Sequence, residues 1–407
     1  MRTRFALVMV AGAAAFGCSA IIGTRDIFFD ENASIDGGGT SSSGGTSSSG
    51  GNGDGGPGDG GGNCNADLQT SKDHCGRCGH SCGGGECTAG KCQAVQIATV
   101  GGAPLWFVAS APDHVFVSTI TAFVTEQGGI WRIPKNGGQA EKYVDIFDAE
   151  DMRVVGDKLW FVVADGPGDG GPDQQGGLWT CPIVGAAPCQ PSRVAAGDTS
   201  DAITVDGTRI YFTDRSIGTR YYDTASGTAT TFNDKVPWYM YAEGTAFFYN
   251  FTYSSSQPYS ARTLEYFPDG GTVVRHEYVK NNASVGTLVG TTDAIYVAAL
   301  EFKTTTGGVV HRQPRASGLP CDYGGNTNKR PYGITLDAQR IYWTNLGEGA
   351  DEPFTGGSVA TCDLAGCCTT PETLWTGDGT PRGITNDSAF LYWVTKATGG
   401  VWKVAKP

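Results

Sequence analysis

The chain has 407 residues, enough for one large or two ordinary domains, and its 39% hydrophobic and 11% aromatic content can build a substantial core. Its formal net charge is −12 and it has no Lys/Arg cluster; an acidic chain without a basic footprint excludes nucleic acid as a partner. Glycine accounts for 62 residues, about twice the usual share, with much of the excess before residue 64.

The N-terminus has the shape of a targeting segment. Arg2 and Arg4 precede an apolar run from Phe5 to Phe16, too short to span a membrane and suited to a signal-peptide core. The small residues that then run into Cys18 resemble a bacterial lipobox. That resemblance implies a signal peptide over 1–17, lipidation of Cys18 and a membrane partner through the lipid anchor, and Ser19 is the residue outer-membrane-sorted lipoproteins tend to carry. Ordinary secretory cleavage nearby is the alternative. The 13 cysteines favour the lipoprotein: setting Cys18 aside leaves an even number, as disulfides in an oxidising compartment require.

Residues 18–63 form a tether rich in Gly and Ser, a composition that buries nothing and behaves as a flexible coil. Residues 64–92 hold Cys64, Cys75, Cys78, Cys82, Cys87 and Cys92. So short a segment has little core, and staples must hold it. Three disulfides are expected, in any of fifteen connectivities; zinc at Cys75 and Cys78 beside His74 and His80 is the alternative. The CGxCGxxC pattern resembles small Cys-rich modules of myxobacterial-type surface lipoproteins, which implies a location and no activity.

From residue 93 to 407 one motif recurs: a short strand, a turn and an aromatic, β-branched strand. It reads ITVDGTRIYFTD (203–214), ITLDAQRIYWTN (334–345) and ITNDSAFLYWVT (384–395), with weaker copies elsewhere. The central aromatics Phe116, Trp160, Tyr211, Phe248, Tyr296, Tyr342 and Tyr392 lie 37–51 residues apart, which is the size of a four-stranded propeller blade. A third strand opening on paired glycines follows in most units. The expected fold is therefore all-β, a seven-bladed β-propeller, with six or eight blades open because units four and five are degenerate. The IYWTN and IYFTD stretches resemble the repeats of YWTD-type and, more loosely, NHL-like propellers, which implies that fold and no more.

The last unit ends after its third strand, GGVWKVA (399–405), while AVQIATV (94–100) is a fourth strand with no blade before it. Pairing the two closes the ring and leaves no unpaired edge. In the same frame Cys181 and Cys189, and Cys362 and Cys368, would each clip a turn between third and fourth strands, and Cys321 would reach Cys367 of the next blade.

Function is less legible. No nucleophile elbow, zinc-protease or phosphate-loop motif occurs. Entrances to the innermost strands carry Trp106, Asp151, Asp201, Trp238, Tyr332 and Arg382, a set that can line a ligand funnel or simply be wet. Loops on the same face carry Asp165, Asp169 and Asp173, the candidate ligands for a calcium ion, and with Glu348, Asp351 and Glu352 they would make the rim acidic. No other cofactor is expected. The reading is an exported lipoprotein of the outer membrane, cell surface or periplasm, whose propeller is a non-enzymatic binding or scaffold module for a protein or glycan. The alternative is a metal-dependent hydrolase or lactonase, which needs three or four carboxylate, Asn or His ligands converging on the ring axis.

Overall fold

The computed structural model describes residues 64–407 except 102–103, 120–127, 147, 165–174, 198–201, 235, 238, 244–245, 253–260, 267–273, 277–282, 302–306, 316–317 and 350–351. The expectations for 1–63, including Cys18, lie outside the described residues.

Alternating apolar positions and paired turns make strands throughout. Among the described residues they form one small hairpin and seven four-stranded sheets, each an antiparallel ladder. The innermost strands are Leu105–Ser110, Ala149–Val155, Ile203–Asp206, Tyr239–Glu243, Ala283–Gly290, Pro331–Leu336 and Pro381–Asn386. Each touches the next, and the last touches the first. The protein is a β-propeller, with blades numbered one to seven in that order.

Blades one to six are each built from four consecutive strands, but the seventh is not. Its order runs from Pro381–Asn386 through Phe390–Thr395 and Gly400–Ala405 to Val95–Thr99. The N-terminal strand pairs antiparallel with the C-terminal one, Val95 opposite Lys403 and Thr99 opposite Gly400. Ile97, Ala98 and Val100 are buried against Leu105, Val108 and Val117 of blade one and Tyr392, Val394 and Val401 of blade seven. The expected closure is thus present, and it is cemented by apolar packing as well as by backbone hydrogen bonds.

The recurring motif now has a mechanism. In blades six and seven the turn aspartates, Asp337 and Asp387, each accept two backbone N–H bonds through Oδ1. Through Oδ2 they accept the hydroxyls of Tyr342 and Tyr392, both at 2.9 Å. A lysine from the following blade completes each unit: Lys406 lies 3.0 Å from Asp337 and Lys135 lies 2.7 Å from Asp387. The threonines of YWT and YFT also tie blades together, Thr344 donating to the Arg382 carbonyl and Thr213 to that of Pro237.

The disulfides 181–189 and 362–368 lie within blades two and six, and 321–367 joins blade five to blade six. The N-terminal module is a knot with pairings 64–78, 75–87 and 82–92. Cys75 and Cys78 are therefore bonded to different partners and do not share a metal. The knot docks on the seam of blades six and seven. Lys91 pairs with Glu372 at 2.8 Å, and Cys92 and Ala94 pack with Leu374, Trp375 and Trp402. The two ring nitrogens of His80 face two carbonyls, those of Cys75 and Lys406, and the second ties the knot to the C-terminal end of blade seven.

Deleting residues 95–99 should leave blade seven with an open edge and lower the melting temperature by at least about 10 °C, with loss of a single transition; calorimetry giving an unchanged single transition would refute closure as the source of cooperativity. A second prediction concerns acid. Burial alone would raise Asp387 and Asp337, but hydrogen bonds, from Lys135 for the first and from Gln339 and Lys406 for the second, hold both below the ordinary carboxylate range. A depressed folded-state value means stabilisation that is present above about pH 4 and lost as pH falls through the folded values. The double variant Asp337→Asn, Asp387→Asn should lose about 1–3 kcal/mol at pH 7 by urea denaturation, and the gap from wild type should close toward pH 3.

Candidate binding site at the funnel face

The chain enters several innermost strands through a residue in the left-handed region: Asp148, Arg330 and Thr380 have φ of 45°, 60° and 57°. A β-branched residue such as Thr380 is costly there. What holds it is a latch shared by the three blades. The carbonyl of each accepts an N–H from the loop between second and third strands of its own blade, from Ala164, Leu346 and Lys396 respectively. Thr380 adds a bond from the Phe354 N–H to its hydroxyl at 3.0 Å. Strand entrances and these loops thus form one face, as the repeat pattern predicts.

At the entrances the side chains are buried. Trp106, Asp151, Tyr332 and Arg382 are each exposed by 6% or less. They do not line an open, wet mouth; they fill the axis side of the ring, because cations and aromatic rings stack there. The Arg382 guanidinium lies 4.4 Å from the Trp106 ring centroid and 4.5 Å from that of Tyr332. Tyr239 joins the group: burial, then its contact with Tyr332, pushes its hydroxyl well above the usual tyrosine range, and Arg382 and Asp151 are close enough to act on it. Tyr239 was missed by sequence reasoning, which placed the blade-four entrance at Trp238.

Asp151 is committed to its own surroundings. It pairs with Arg153 at 2.7 Å and accepts the N–H groups of Met152 and Ile203. Burial pushes it up to about 6 in spite of Arg153, so its ionisation works against the fold as pH rises from about 4 to 6, opposite in sign to Asp337 and Asp387. Trp106, Tyr332 and Arg382, the described residues expected beside it, bring no second carboxylate, and Asp201 and Trp238 lie outside the described residues. So do Asp165, Asp169, Asp173 and Asp351 of the expected calcium loop and acidic rim.

The two described rim acids are neutralised. Glu348 pairs with Lys329 at 2.8 Å. Glu352 reaches inward, where Arg382 and Lys396 both bind its carboxylate. Lys396 also lies 4.4 Å over the Trp106 ring, which makes a stack of Tyr332, Arg382, Trp106 and Lys396. Beside this stack opens a cavity of about 500 Å³, lined by Val100, Pro104, Glu352, Thr380, Lys396 and Ala397 among others. It sits where blade seven, the residues after the closure strand and the blade-six loop meet. Lys396 carried no sequence signal beyond its place in the short loop TKATGG.

No protein-family model and no curated protein matches the chain. Solved structures match its fold. The β-propeller domain of the Trilobed protease from Pyrococcus furiosus, described as having an open velcro topology, superposes with a TM-score of 0.53 at 10% identity, over 74% of this chain and 95% of that one. Virginiamycin B lyase from Staphylococcus aureus gives 0.51 at 14% identity, over 77% and 99%. The extracellular domain of a hybrid two-component system from B. thetaiotaomicron gives 0.52 at 12% identity, over 77% and 41%. At such identities the likeness shows the fold alone.

Glu352→Ala would leave Arg382, 4% exposed, and the half-buried Lys396 without their shared carboxylate. Glu352 is itself partly exposed, so the loss should be about 1–3 kcal/mol by urea denaturation, well above the scatter for a surface substitution; a change under about 0.5 kcal/mol would show that the clamp does not form.

Proposed function

We propose that the protein is an exported lipoprotein whose propeller is a non-enzymatic binding module, presenting its loop face to a glycan. Export is supported by six disulfides among the described residues, which persist where the surroundings oxidise. The lipid anchor at Cys18 and an outer-membrane or cell-surface location follow from the N-terminal reading and the long Gly/Ser tether.

The observation that carries binding is the cavity at the junction of blades six, seven and one. Its size is that of a small-ligand or sugar-unit site, whereas a protein partner would call for a broad, flatter patch. Its walls mix backbone, Pro104 and Thr380 with one carboxylate and one ammonium, a lining suited to hydroxyl groups and apolar sugar faces. Its one carboxylate, that of Glu352, is tied up in ion pairs with Arg382 and Lys396, so the chemistry on offer is recognition.

Ala397 is exposed on the cavity wall, and Ala397→Trp should fill the space without disturbing the core. Screening the full chain against a glycan array, then titrating the best saccharide by calorimetry, should give saturable binding that this variant weakens at least about tenfold. Saturable binding of a protein partner, with no saccharide bound, would overturn the glycan reading in favour of a protein-binding face. Turnover of a bound lactone or ester would overturn the non-enzymatic one.

A further inference from the structure

We infer that the cavity recognises an anionic saccharide, one bearing carboxylate groups such as a uronic acid, with Lys396 as the residue that meets the negative charge. This deepens the glycan reading above and rests on it.

The first ground is charge. Arg382 and Lys396 share the single carboxylate of Glu352, two positive charges against one negative. Among the described residues this is a local excess of positive charge, at the cavity of a chain whose net charge is −12. Low-dielectric walls focus such a field into the concavity they enclose, so the site favours an anion although the molecule as a whole repels one.

The second ground is independent of charge counting. Two donors in the stack, Nε1 of Trp106 and Nε of Arg382, are buried and have no acceptor among the described residues, and both side chains are more than nine-tenths buried. Buried donors are normally satisfied. Trp106 and Arg382 do not themselves line the cavity, but both donors stand in one stack with the cavity-lining Lys396, and that stack is short of acceptor oxygens. A carboxylate is acceptor-only and supplies up to four lone pairs.

The third ground is rigidity. Lys396 is not a free surface lysine. Its backbone N–H is latched to the carbonyl of Thr380 at 3.0 Å and the next N–H, that of Ala397, to Gly379 at 2.9 Å. Its ammonium is held between Glu352 and the Trp106 ring. An ammonium fixed at a cavity wall, with its counter-ion shared with an arginine, can turn part of its hydrogen-bonding capacity to a ligand without first being ordered.

The test compares an oligouronate with the same oligomer after its carboxyl groups are reduced to neutral alcohols, each titrated into the full chain at 20 mM and 200 mM salt. The acidic oligomer should bind at least about tenfold more tightly at low salt, and the difference should shrink at high salt. Lys396→Gln should abolish the preference and Lys396→Arg restore it, with thermal melts confirming that both variants are folded. Equal affinity of wild type for the two oligomers overturns the anionic inference while leaving the glycan reading intact. Binding of neither, with no saccharide bound on the array, overturns both. A preference that survives in Lys396→Gln removes Lys396 from the role assigned to it and overturns the inference as stated.

Discussion

A ring of sheets must join its first blade to its last, and here a single strand does so. Residues 95–99 lie some three hundred positions ahead of the strand they pair with, Gly400–Ala405. If they were absent, blade seven would present a bare row of N–H and C=O groups, and the apolar faces of Val108, Val117, Tyr392 and Val401 would lose the side chains of Ile97 and Val100 that fill the space between them. The candidate site depends on the same join. Val100, Gly101 and Pro104, the residues that follow the closure strand, form one wall of the cavity, and residues 396–399 of blade seven form another. The site exists because the ends of the chain meet.

Electrostatics divides the molecule in a way that composition hides. A net charge of −12 suggests an acidic surface everywhere, yet around the described part of the funnel face the acids are matched or outnumbered by partners. Glu348 has Lys329, Asp151 has Arg153, and Glu352 has two cations. The aromatic rings between these cations matter as much as the carboxylates. Stacking Arg382 on Trp106 and Tyr332 lets a guanidinium stay buried, because the ring faces replace part of its hydration. A funnel of charged side chains thereby becomes a packed plug with one open flank.

The repeat, the strand order around the closure and the cross-blade disulfide were legible in the sequence because each is written in spacing. Aromatic strands 37–51 residues apart, an orphan fourth strand at 94–100 and a leftover cysteine at 321 allow few arrangements. The site was legible only in part. Trp106, Tyr332 and Arg382 were found because strand entrances can be read from the repeat, but their burial was not, since exposure depends on what neighbouring blades place on the axis. Tyr239 was missed by one position because the fourth unit is a weak copy of the repeat, and its entrance cannot be aligned to a single residue from sequence alone. Lys396 and the inward turn of Glu352 depend on how two loops from different blades meet, and no local pattern encodes that.

The knot's place in the chain follows from the same closure. Bringing residues 95–99 to the C-terminal strand closes the longest loop in the molecule, at an entropic cost that rises with length, though slowly. Anything that adds affinity between the N-terminal segment and blades six and seven offsets that cost. The knot does this from immediately upstream: the Cys82–Cys92 bond ends three residues before Val95. Beyond it Lys91 reaches Glu372, which also holds Arg340, His80 reaches the Lys406 carbonyl, and Cys92 and Ala94 pack against the apolar cluster shared by blades six and seven. Because the knot already grips both neighbouring blades through ion pairs, hydrogen bonds and apolar contacts, the strand that follows it is delivered beside Gly400–Ala405 with little freedom left to lose.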